Sequence, residues 1–153
     1  ALKNDFPILG ICFGHQLICH QLGGDIVLNH ELSPEQKGSR LVEFKRDFGD
    51  IKCGEHLEFA VSHSFRVINL PADFVEVACS IYPNDIVRHK KYPFVGIQAH
   101  PEASDHFMMT DFKDAPLCSH KADKTKVDGI RFMRNFVQQF CLDEFGNALL
   151  INR

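Results

Sequence analysis

The 153-residue sequence has no tryptophan, no CxxC pair and no apolar run near the roughly 18 residues that a membrane-spanning helix needs. It also has little net charge, because 17 Lys and Arg stand against 20 Asp and Glu, giving −3. These absences argue against a membrane protein and give no electrostatic reason to expect binding to nucleic acid. The first residues lack the apolar core of a signal peptide, so we expect a cytoplasmic protein.

The cysteines and histidines do not form a recognisable metal site. Six cysteines are scattered along the chain, and we interpret them as free thiols. Nine histidines are also present, but none forms an HExxH motif or a Cys–His set at ligand spacing. We therefore expect neither a metal ion nor an organic cofactor.

The composition is that of an ordinary globular chain. Hydrophobic residues make up 44% of the sequence and charged residues 24%, both close to the averages for folded domains. The length suits one domain rather than two, and no internal repeat is present. We expect residues 1–153 to form a single domain.

The N-terminal part predicts a strand, a sharp turn and a helix. Residues 7–11 (PILGI) are a short apolar run bounded by turn formers, as in a strand buried on both faces. Residues 17–22 (LICHQL) carry apolar side chains at helical spacing, and two glycines follow in the manner of a helix C-cap. Residues 25–29 predict the next strand.

The middle of the chain has a different residue pattern, of short strand-like runs. Residues 33–38 predict a loop, and several short strand-like runs follow with turn formers between them. Closely spaced strands without intervening helices indicate an antiparallel section. The predicted strands are residues 41–44, 57–61, 74–78, 85–88 and 94–99.

The C-terminal part predicts one long element. Residues 103–125 are polar and of mixed charge, so we interpret them as a surface insertion or lid. Residues 127–142 place apolar side chains at helical intervals and predict an amphipathic helix.

Residues 10–14 (GICFG) place Cys12 between two glycines at the predicted strand-to-helix turn. G-x-C-x-G is the cysteine analogue of the G-x-S-x-G nucleophile elbow, in which glycines let neighbouring backbone pass close to a strained nucleophile. The N-terminus of the following helix favours a thiolate, and the Phe13 N–H would face a developing oxyanion. On these residues alone, a buried cysteine in a glycine-rich turn explains the pattern equally well.

A candidate base and its orienting group lie about 90 residues later. His100 and Glu102 flank Pro101, and residues i and i+2 of an extended segment project to the same side. His100 would accept and return a proton, and Glu102 would hold the imidazole ring. By itself an HPE tripeptide is weak evidence, since a histidine near a strand end is usually a packed polar residue.

Two motifs together make the sequence resemble the class I, triad-type glutamine amidotransferases. Residues 10–16 (GICFGHQ) and 96–102 (GIQAHPE) match the nucleophile and His–Glu motifs of that family in order and separation. Residues 61–67 (VSHSFRV), followed by Leu70 and Pro71, resemble its middle motif. The resemblance extends over nearly the whole chain.

The resemblance implies an α/β fold with a mainly parallel sheet flanked by helices, flavodoxin-like, with an antiparallel excursion between the two catalytic motifs. In the family, parallel strands and a Gly-rich loop that supplies a second oxyanion-hole N–H precede the nucleophile strand. No part of this sequence corresponds to them. We therefore expect a domain that is incomplete at its N-terminus.

The resemblance also implies a reaction and its participants. Cys12 would attack the side-chain amide of glutamine, His100 would protonate the departing ammonia, and Glu102 would orient His100. The ammonia acceptor would be handled by a synthetase subunit, by a fused domain or at the same site, with neither nucleic acid nor membrane involved. The implied glutamine-binding residues are Phe13, Gln16, Ser62, Ser64 and Phe65.

Two alternatives stay open at this point. A γ-glutamyl peptide hydrolase would keep the fold and the Cys–His pair, although such relatives often carry a different residue in the position of Glu102. A catalytically silent regulatory or interaction protein would need no triad at all. Competition between glutamine and γ-glutamyl dipeptides separates the first alternative from a glutaminase, and full biological activity after Cys12→Ala would favour the second.

Overall fold

The computed structural model describes residues 6–28, 36–104, 107, 110, 119–143 and 146–148. Strands dominate the middle of the chain, and a helix follows the first strand and the last one. The elements are β1 (Ile8–Ile11), α1 (Phe13–Gln21), β2 (Asp25–Leu28), β3 (Gln36–Phe44), β4 (His56–His63), β5 (Phe65–Asn69), β6 (Phe74–Cys79), β7 (Ile86–His89), β8 (Phe94–Ile97) and α2 (Ser119–Phe140).

Six of these strands form one mixed sheet in the order β1-β8-β7-β6-β3-β4, and β2 pairs with β5 in a separate antiparallel ribbon. Within the large sheet, β1 and β8 are parallel, and the other neighbours are antiparallel. The predicted α/β class and the antiparallel excursion are confirmed, but the sheet that we expected to be mainly parallel is a mixed one, with one parallel and four antiparallel neighbour pairs among the described strands. The excursion is the larger part of the described sheet, because short turns between consecutive strands produce antiparallel neighbours.

The helices cover opposite faces of the large sheet. Side chains alternate between the two faces along β8. Val95 and Ile97 join the core cluster that contains Phe132 of α2. Gly96 between them faces His15 of α1, whose Nδ1 would lie 2.4 Å from a Cβ placed on that glycine. The order of layers is therefore α2, sheet, α1.

Aromatic rings hold α2 against the sheet. Phe132 is fully buried and stacks on Phe48 with ring centroids 5.0 Å apart, while it meets Phe59 edge-on at 5.8 Å. Offset stacked and edge-to-face pairs are the favourable arrangements of aromatic rings, so this cluster adds to the free energy of burying them. Phe136 and Phe140 extend the same cluster along the helix.

Polar contacts fix the position of α2 along its axis. Arg131 donates to the carboxylates of Asp50 and Glu55 at 3.0 and 2.8 Å. Asn135 is buried, donates its amide to Asp50 at 2.8 Å and accepts a hydrogen bond from the backbone N–H of the same residue. These bonds tie two turns of the helix to the loop between β3 and β4.

Several predicted boundaries were wrong. The helix α2 begins at Ser119 rather than 127, so the part of the predicted surface insertion from 119 to 125 is helical. The polar composition was misleading because polar side chains are buried here too: Thr125 and, just beyond it, Asp128 face the fold, while Asp123 is exposed. Residue 29, residues 33–35 and most of residues 105–118 lie outside the described residues.

One strand and one helix begin earlier than predicted, and one strand was not predicted. The strand β3 begins at Gln36, within the predicted loop 33–38, because its first residues pair with the end of β4. The strand β5, which we did not predict, is the antiparallel partner of β2. The helix α1 begins at Phe13, four residues before its apolar stripe. The other predicted strands are confirmed with shifts of a few residues at their ends.

Replacing Phe132 by alanine tests the packing of α2. We expect Phe132→Ala to lower the free energy of unfolding by about 3–5 kcal/mol, since it leaves a cavity between Phe48 and Phe59. Val127→Ala, on the exposed side of the same helix, should change it by less than about 0.5 kcal/mol. Urea unfolding followed by circular dichroism measures both, and equal losses would contradict this account of the core.

Candidate active site

Cys12 occupies a strained turn between β1 and α1. Its backbone has φ 49° and ψ −101°, an unfavourable conformation for a residue with a Cβ. Hydrogen bonds hold the turn from both sides: the Cys12 N–H donates to Ile97 O at 2.8 Å, and its carbonyl accepts from Gln16 N–H at 3.1 Å. The sequence-predicted elbow is therefore present, with Cys12 at the N-cap of α1 and its side chain half-buried.

The two glycines of the elbow have different roles. A Cβ on Gly10 would lie 2.6 Å from Ile18 Cδ1 and 2.7 Å from the carbonyl of Gly14. Residue 10 therefore has to be a glycine where α1 packs against the end of β1. A Cβ on Gly14 would meet no atom within 4 Å. The close approach that we expected at both glycines therefore requires only Gly10 to lack a side chain.

His100 and Glu102 lie just beyond β8, on the segment next to the cysteine turn. His100 Nδ1 is 2.8 Å from Glu102 Oε1, and the backbone N–H of His100 donates to Ala60 O at 2.8 Å. The segment is a turn, closed by the Ala103 N–H donating to His100 O at 3.2 Å. Our expectation of an extended segment was wrong, although the turn brings the two side chains together.

Cys12 acts electrostatically on the imidazole of His100. Because Nδ1 faces Glu102, Nε2 is the ring nitrogen left for the sulfur. Burial disfavours the imidazolium, but Glu102, which is bonded to Nδ1, and the neighbouring Cys12 outweigh it and raise the pKa of His100 to about 10. The imidazole is therefore protonated at neutral pH, with Glu102 bonded to Nδ1 and Cys12 nearby.

Two further groups contact the sulfur of Cys12. The Nε2 amide of Gln98 donates to it at 3.7 Å, and the carbonyl of Ser62 lies 3.8 Å away as an acceptor for the thiol proton. Gln98 was missed as a site residue. The signal that could have found it is its place directly after β8, since the first residues beyond two parallel neighbouring strands meet at one edge of the sheet.

The predicted glutamine-binding residues cluster around this centre. Gln16 is buried and donates to Phe65 O at 3.0 Å and to Gln98 Oε1 at 3.2 Å. Ser62 ends β4 beside the sulfur, and Ser64 lies half-buried in the turn before β5. The Phe13 side chain is 71% exposed, and its N–H, the first of α1, has no acceptor within the helix.

A buried polar cluster lies behind the turn that carries Ser64. His63 contacts Phe65 O through Nδ1 at 2.9 Å, and its Nε2 faces the guanidinium of Arg40, which is paired with Asp85. Burial and the charge of Arg40 lower the pKa of His63 to about 4, so its ring is neutral. The contacts then fix its tautomer: Nδ1–H donates to Phe65 O, and Nε2 accepts from Arg40.

The helix α2 touches the candidate site through its backbone. A Cβ on Gly129 would lie 2.3 Å from the carbonyl oxygen of Pro101, so only a glycine allows the helix to pack this closely against the His–Pro–Glu turn. The buried carboxylate of Asp128, the residue before Gly129, accepts from the backbone N–H of Glu58 at 2.7 Å. The helix thereby contacts both β4 and the segment that carries His100.

A groove of about 620 Å³ lies on the outer side of the same turn. Glu102 and Ser104 form one wall, and apolar side chains of α2, among them Ile130 and Met133, form the other. Within the described ranges, no group of three or more His, Cys, Asp or Glu side chains is arranged to hold a metal ion. No helix in the same ranges is both long and apolar enough to cross a membrane.

The chain belongs to the class I glutamine amidotransferase family. The family model described as "Glutamine amidotransferase class-I" matches residues 1–113, which include the elbow and the His–Pro–Glu turn. The comparisons with individual proteins agree with this assignment.

Two sequence relatives and one solved structure illustrate the relationship. The chain is 36% identical over 107 residues to a glutamine-hydrolyzing GMP synthase subunit of Methanococcus aeolicus, covering 68% of this chain and 55% of that protein. It is 29% identical over 142 residues to anthranilate synthase component 2 of Thermococcus kodakarensis, covering 90% and 63%. The crystal structure of a glutamine amidotransferase from Thermotoga maritima shares the fold with a TM-score of 0.73 at 23% identity, covering 91% of this chain and 64% of that one. The chain therefore spans between half and two thirds of the length of these proteins.

The charge of Glu102 should make stability depend on pH. A raised pKa of His100 in the folded protein stabilises the fold fully below about pH 6.5, and this stabilisation is lost as the pH rises to about 10. We expect Glu102→Gln to destabilise the protein by roughly 1 kcal/mol at pH 6.5, because Glu102 is partly screened by solvent, and by less as the pH approaches 10.

Urea unfolding of wild type and variant between pH 6 and 10 measures this difference. Glu43→Gln, which removes a similarly exposed carboxylate that is paired with Lys45, is the matched control and should show no comparable narrowing up to about pH 9. A Glu102→Gln difference that stays constant up to pH 10 would contradict the assignment of the raised pKa to His100.

The elbow glycines can be tested as a pair. Gly10→Ala should lower the free energy of unfolding by about 1–3 kcal/mol, since the new methyl group overlaps Ile18 and the backbone of Gly14. Gly14→Ala has room and gains helix propensity, so its effect should be neutral or stabilising by up to about 1 kcal/mol. Thermal unfolding compares them, and equal destabilisation would refute the close approach at Gly10.

Proposed function

We propose that this chain is the glutaminase part of a glutamine amidotransferase, in which Cys12 hydrolyses the side-chain amide of glutamine and releases ammonia. The observation that carries the proposal is that Cys12, His100 and Glu102 converge at the carboxyl end of β1 and β8, where Glu102 Oε1 lies 2.8 Å from His100 Nδ1 and both Glu102 and Cys12 raise the pKa of the imidazole. Ligands of open α/β sheets bind at this end of the strands. Family membership supports the same reaction class.

The first half of the reaction forms a thioester. The Cys12 thiolate attacks the amide carbon of glutamine, and the electron pair of the carbonyl bond moves to oxygen. The Phe13 N–H at the start of α1 is one donor for that oxyanion. As the carbon–nitrogen bond breaks, the His100 imidazolium gives its proton to the nitrogen and ammonia leaves. His100 is protonated before the attack, which suits it to act first as an acid.

The second half of the reaction regenerates the thiolate. Neutral His100 accepts a proton from water while the water oxygen attacks the thioester carbon. The carbon–sulfur bond breaks, glutamate leaves and the thiolate and imidazolium pair is restored. Glu102 holds Nδ1 throughout, so that Nε2 stays directed at the reacting atoms. In this scheme Gln16 and the backbone of Ser62, Ser64 and Phe65 bind the amino-acid end of glutamine.

We further assign the use of ammonia to a partner synthetase subunit or a fused synthetase domain. Two relatives carry names of components of larger enzymes, one a subunit of a GMP synthase and the other component 2 of an anthranilate synthase. The described residues of this chain account for the release of ammonia but present no second centre for its acceptor.

Covalent labelling tests the proposed nucleophile. A glutamine analogue with a γ-diazoketone should add one equivalent to the protein, because an activated thiolate in a formed glutamine site displaces the diazo group. We expect Cys12→Ala to abolish the adduct and to reduce ammonia release from glutamine by at least about 10³-fold. Intact mass and an ammonia assay measure the two effects.

Cys53→Ala is the matched control, since Cys53 is an exposed thiol in the loop after β3 and should leave labelling unchanged. Competition with free glutamine should slow labelling more than competition with γ-glutamyl dipeptides, and the reverse order would indicate a γ-glutamyl peptide hydrolase. A folded wild-type protein that forms no adduct would overturn the proposal for this chain.

A further inference from the structure

Gln98 stands beside the nucleophile because two strands run parallel. The register of β1 and β8 pairs Ile11 with Ile97, so the next residue on each strand lies at the same level of the sheet. Two backbone hydrogen bonds fix this alignment of residues 12 and 98: the Cys12 N–H donates to Ile97 O, and the Gln98 N–H donates to Asp85 O, both at 2.8 Å. The Gln98 side chain is only 2% exposed, and its Nε2 lies 3.7 Å from Cys12 Sγ.

Hydrogen bonding fixes which end of the Gln98 amide faces the sulfur. The carbonyl of Phe65 can only accept, so Gln16 must direct its NH₂ group toward it, at 3.0 Å. The same NH₂ group lies 3.2 Å from the Gln98 amide, which must therefore present its oxygen to Gln16. The NH₂ group of Gln98 is left for Cys12. A reversed Gln98 amide would set two donors against each other and an oxygen against the sulfur.

We propose that Gln98 is a further catalytic residue, a hydrogen-bond donor to the Cys12 thiolate that acts beside His100, and that Gln16 is the positioning residue that keeps its amide in this orientation. The inference rests on the proposed role of Cys12 as the nucleophile. An N–H donor stabilises a thiolate more than a thiol, because hydrogen bonds to charged acceptors are the stronger ones. Gln98 carries no charge and stays a donor at every pH.

Cys12 makes different contacts as a thiol and as a thiolate. The thiol can donate to Ser62 O at 3.8 Å, a contact that the thiolate loses, whereas the thiolate accepts from Gln98 and is attracted by the charge of His100. The neighbouring titratable groups are Glu102 behind His100, neutral His63 on β4, and His15 on α1, whose burial lowers its pKa to about 3. His100 is a cationic group that interacts with Cys12, and Gln98 adds a neutral donor.

The pH profile of Cys12 alkylation tests this role without any turnover of glutamine. Iodoacetamide reacts with the thiolate, and peptide mass mapping isolates the reaction at Cys12 from that at the other cysteines. We expect Gln98→Met to slow alkylation about tenfold on the acid side of the profile and to leave the alkaline plateau unchanged. Gln98→Glu should shift the profile further in the same direction, because a carboxylate would then face the sulfur.

Gln16→Met should give a smaller shift of the same sign, since Gln98 keeps its donor but loses the partner that orients it. Gln139→Met is the matched control, because Gln139 is exposed on α2 and bonds only to its own helix. Circular dichroism establishes that each variant is folded. If Gln98→Met unfolds, Gln16→Met and Gln98→Glu carry the test.

The outcomes separate this inference from the proposed function. Folded variants of Gln98 and Gln16 with the wild-type alkylation profile would overturn the role of Gln98, even if the wild type releases ammonia from glutamine. A shifted profile in a protein that releases no ammonia would uphold the hydrogen bond to Cys12 and count against the glutaminase. A shift produced equally by Gln139→Met would also overturn the assignment.

Discussion

The parallel pairing of β1 with β8 is the constraint on which the candidate site depends. It is the one parallel neighbour relation among the described strands, and it joins segments that are more than 80 residues apart in sequence. Both strands end at the same edge of the sheet. The residues that directly follow them, Cys12 after β1 and Gln98 after β8, therefore lie next to each other. A shift of one residue in this register would turn the Gln98 side chain to the opposite face of the sheet and remove it from the sulfur.

The rest of the described fold keeps that edge in place. The antiparallel strands β7 and β4 fix the segment after β8 from two sides, through Asp85 O to Gln98 and through Ala60 O to His100. On the far face, α2 packs its backbone at Gly129 against Pro101, and the aromatic cluster around Phe132 fixes the helix itself. The strain at Cys12 is sustained because neighbouring strands and helices leave its turn no relaxed alternative.

The sequence predicted the parts of the molecule that depend on local pattern. Cys12, His100 and Glu102 could be named because each lies in a short motif whose residue types suit nucleophilic chemistry, and most strands follow from apolar runs between turn formers. The start of α2 at Ser119 was missed because its first turns are polar in sequence, and the strand β5 was missed because it is defined by pairing with β2, far away in the chain. The role of Gln98 depends on which end of an amide faces the sulfur, and that is set by a carbonyl 33 residues away, at Phe65.

For the proposed reaction, the half-buried Cys12 needs donors around its sulfur. Burial without donors would favour the thiol, as it does at Cys19, where burial raises the thiol pKa to about 12. Cys12 differs because a cationic imidazole, a neutral amide and the N-terminus of α1 all converge on it. In the proposed reaction the imidazolium is consumed when His100 gives its proton to the leaving nitrogen, whereas the amide of Gln98 remains a donor throughout the cycle. When the thioester is hydrolysed and the sulfur leaves as a thiolate, the Gln98 amide is therefore still available as an N–H donor.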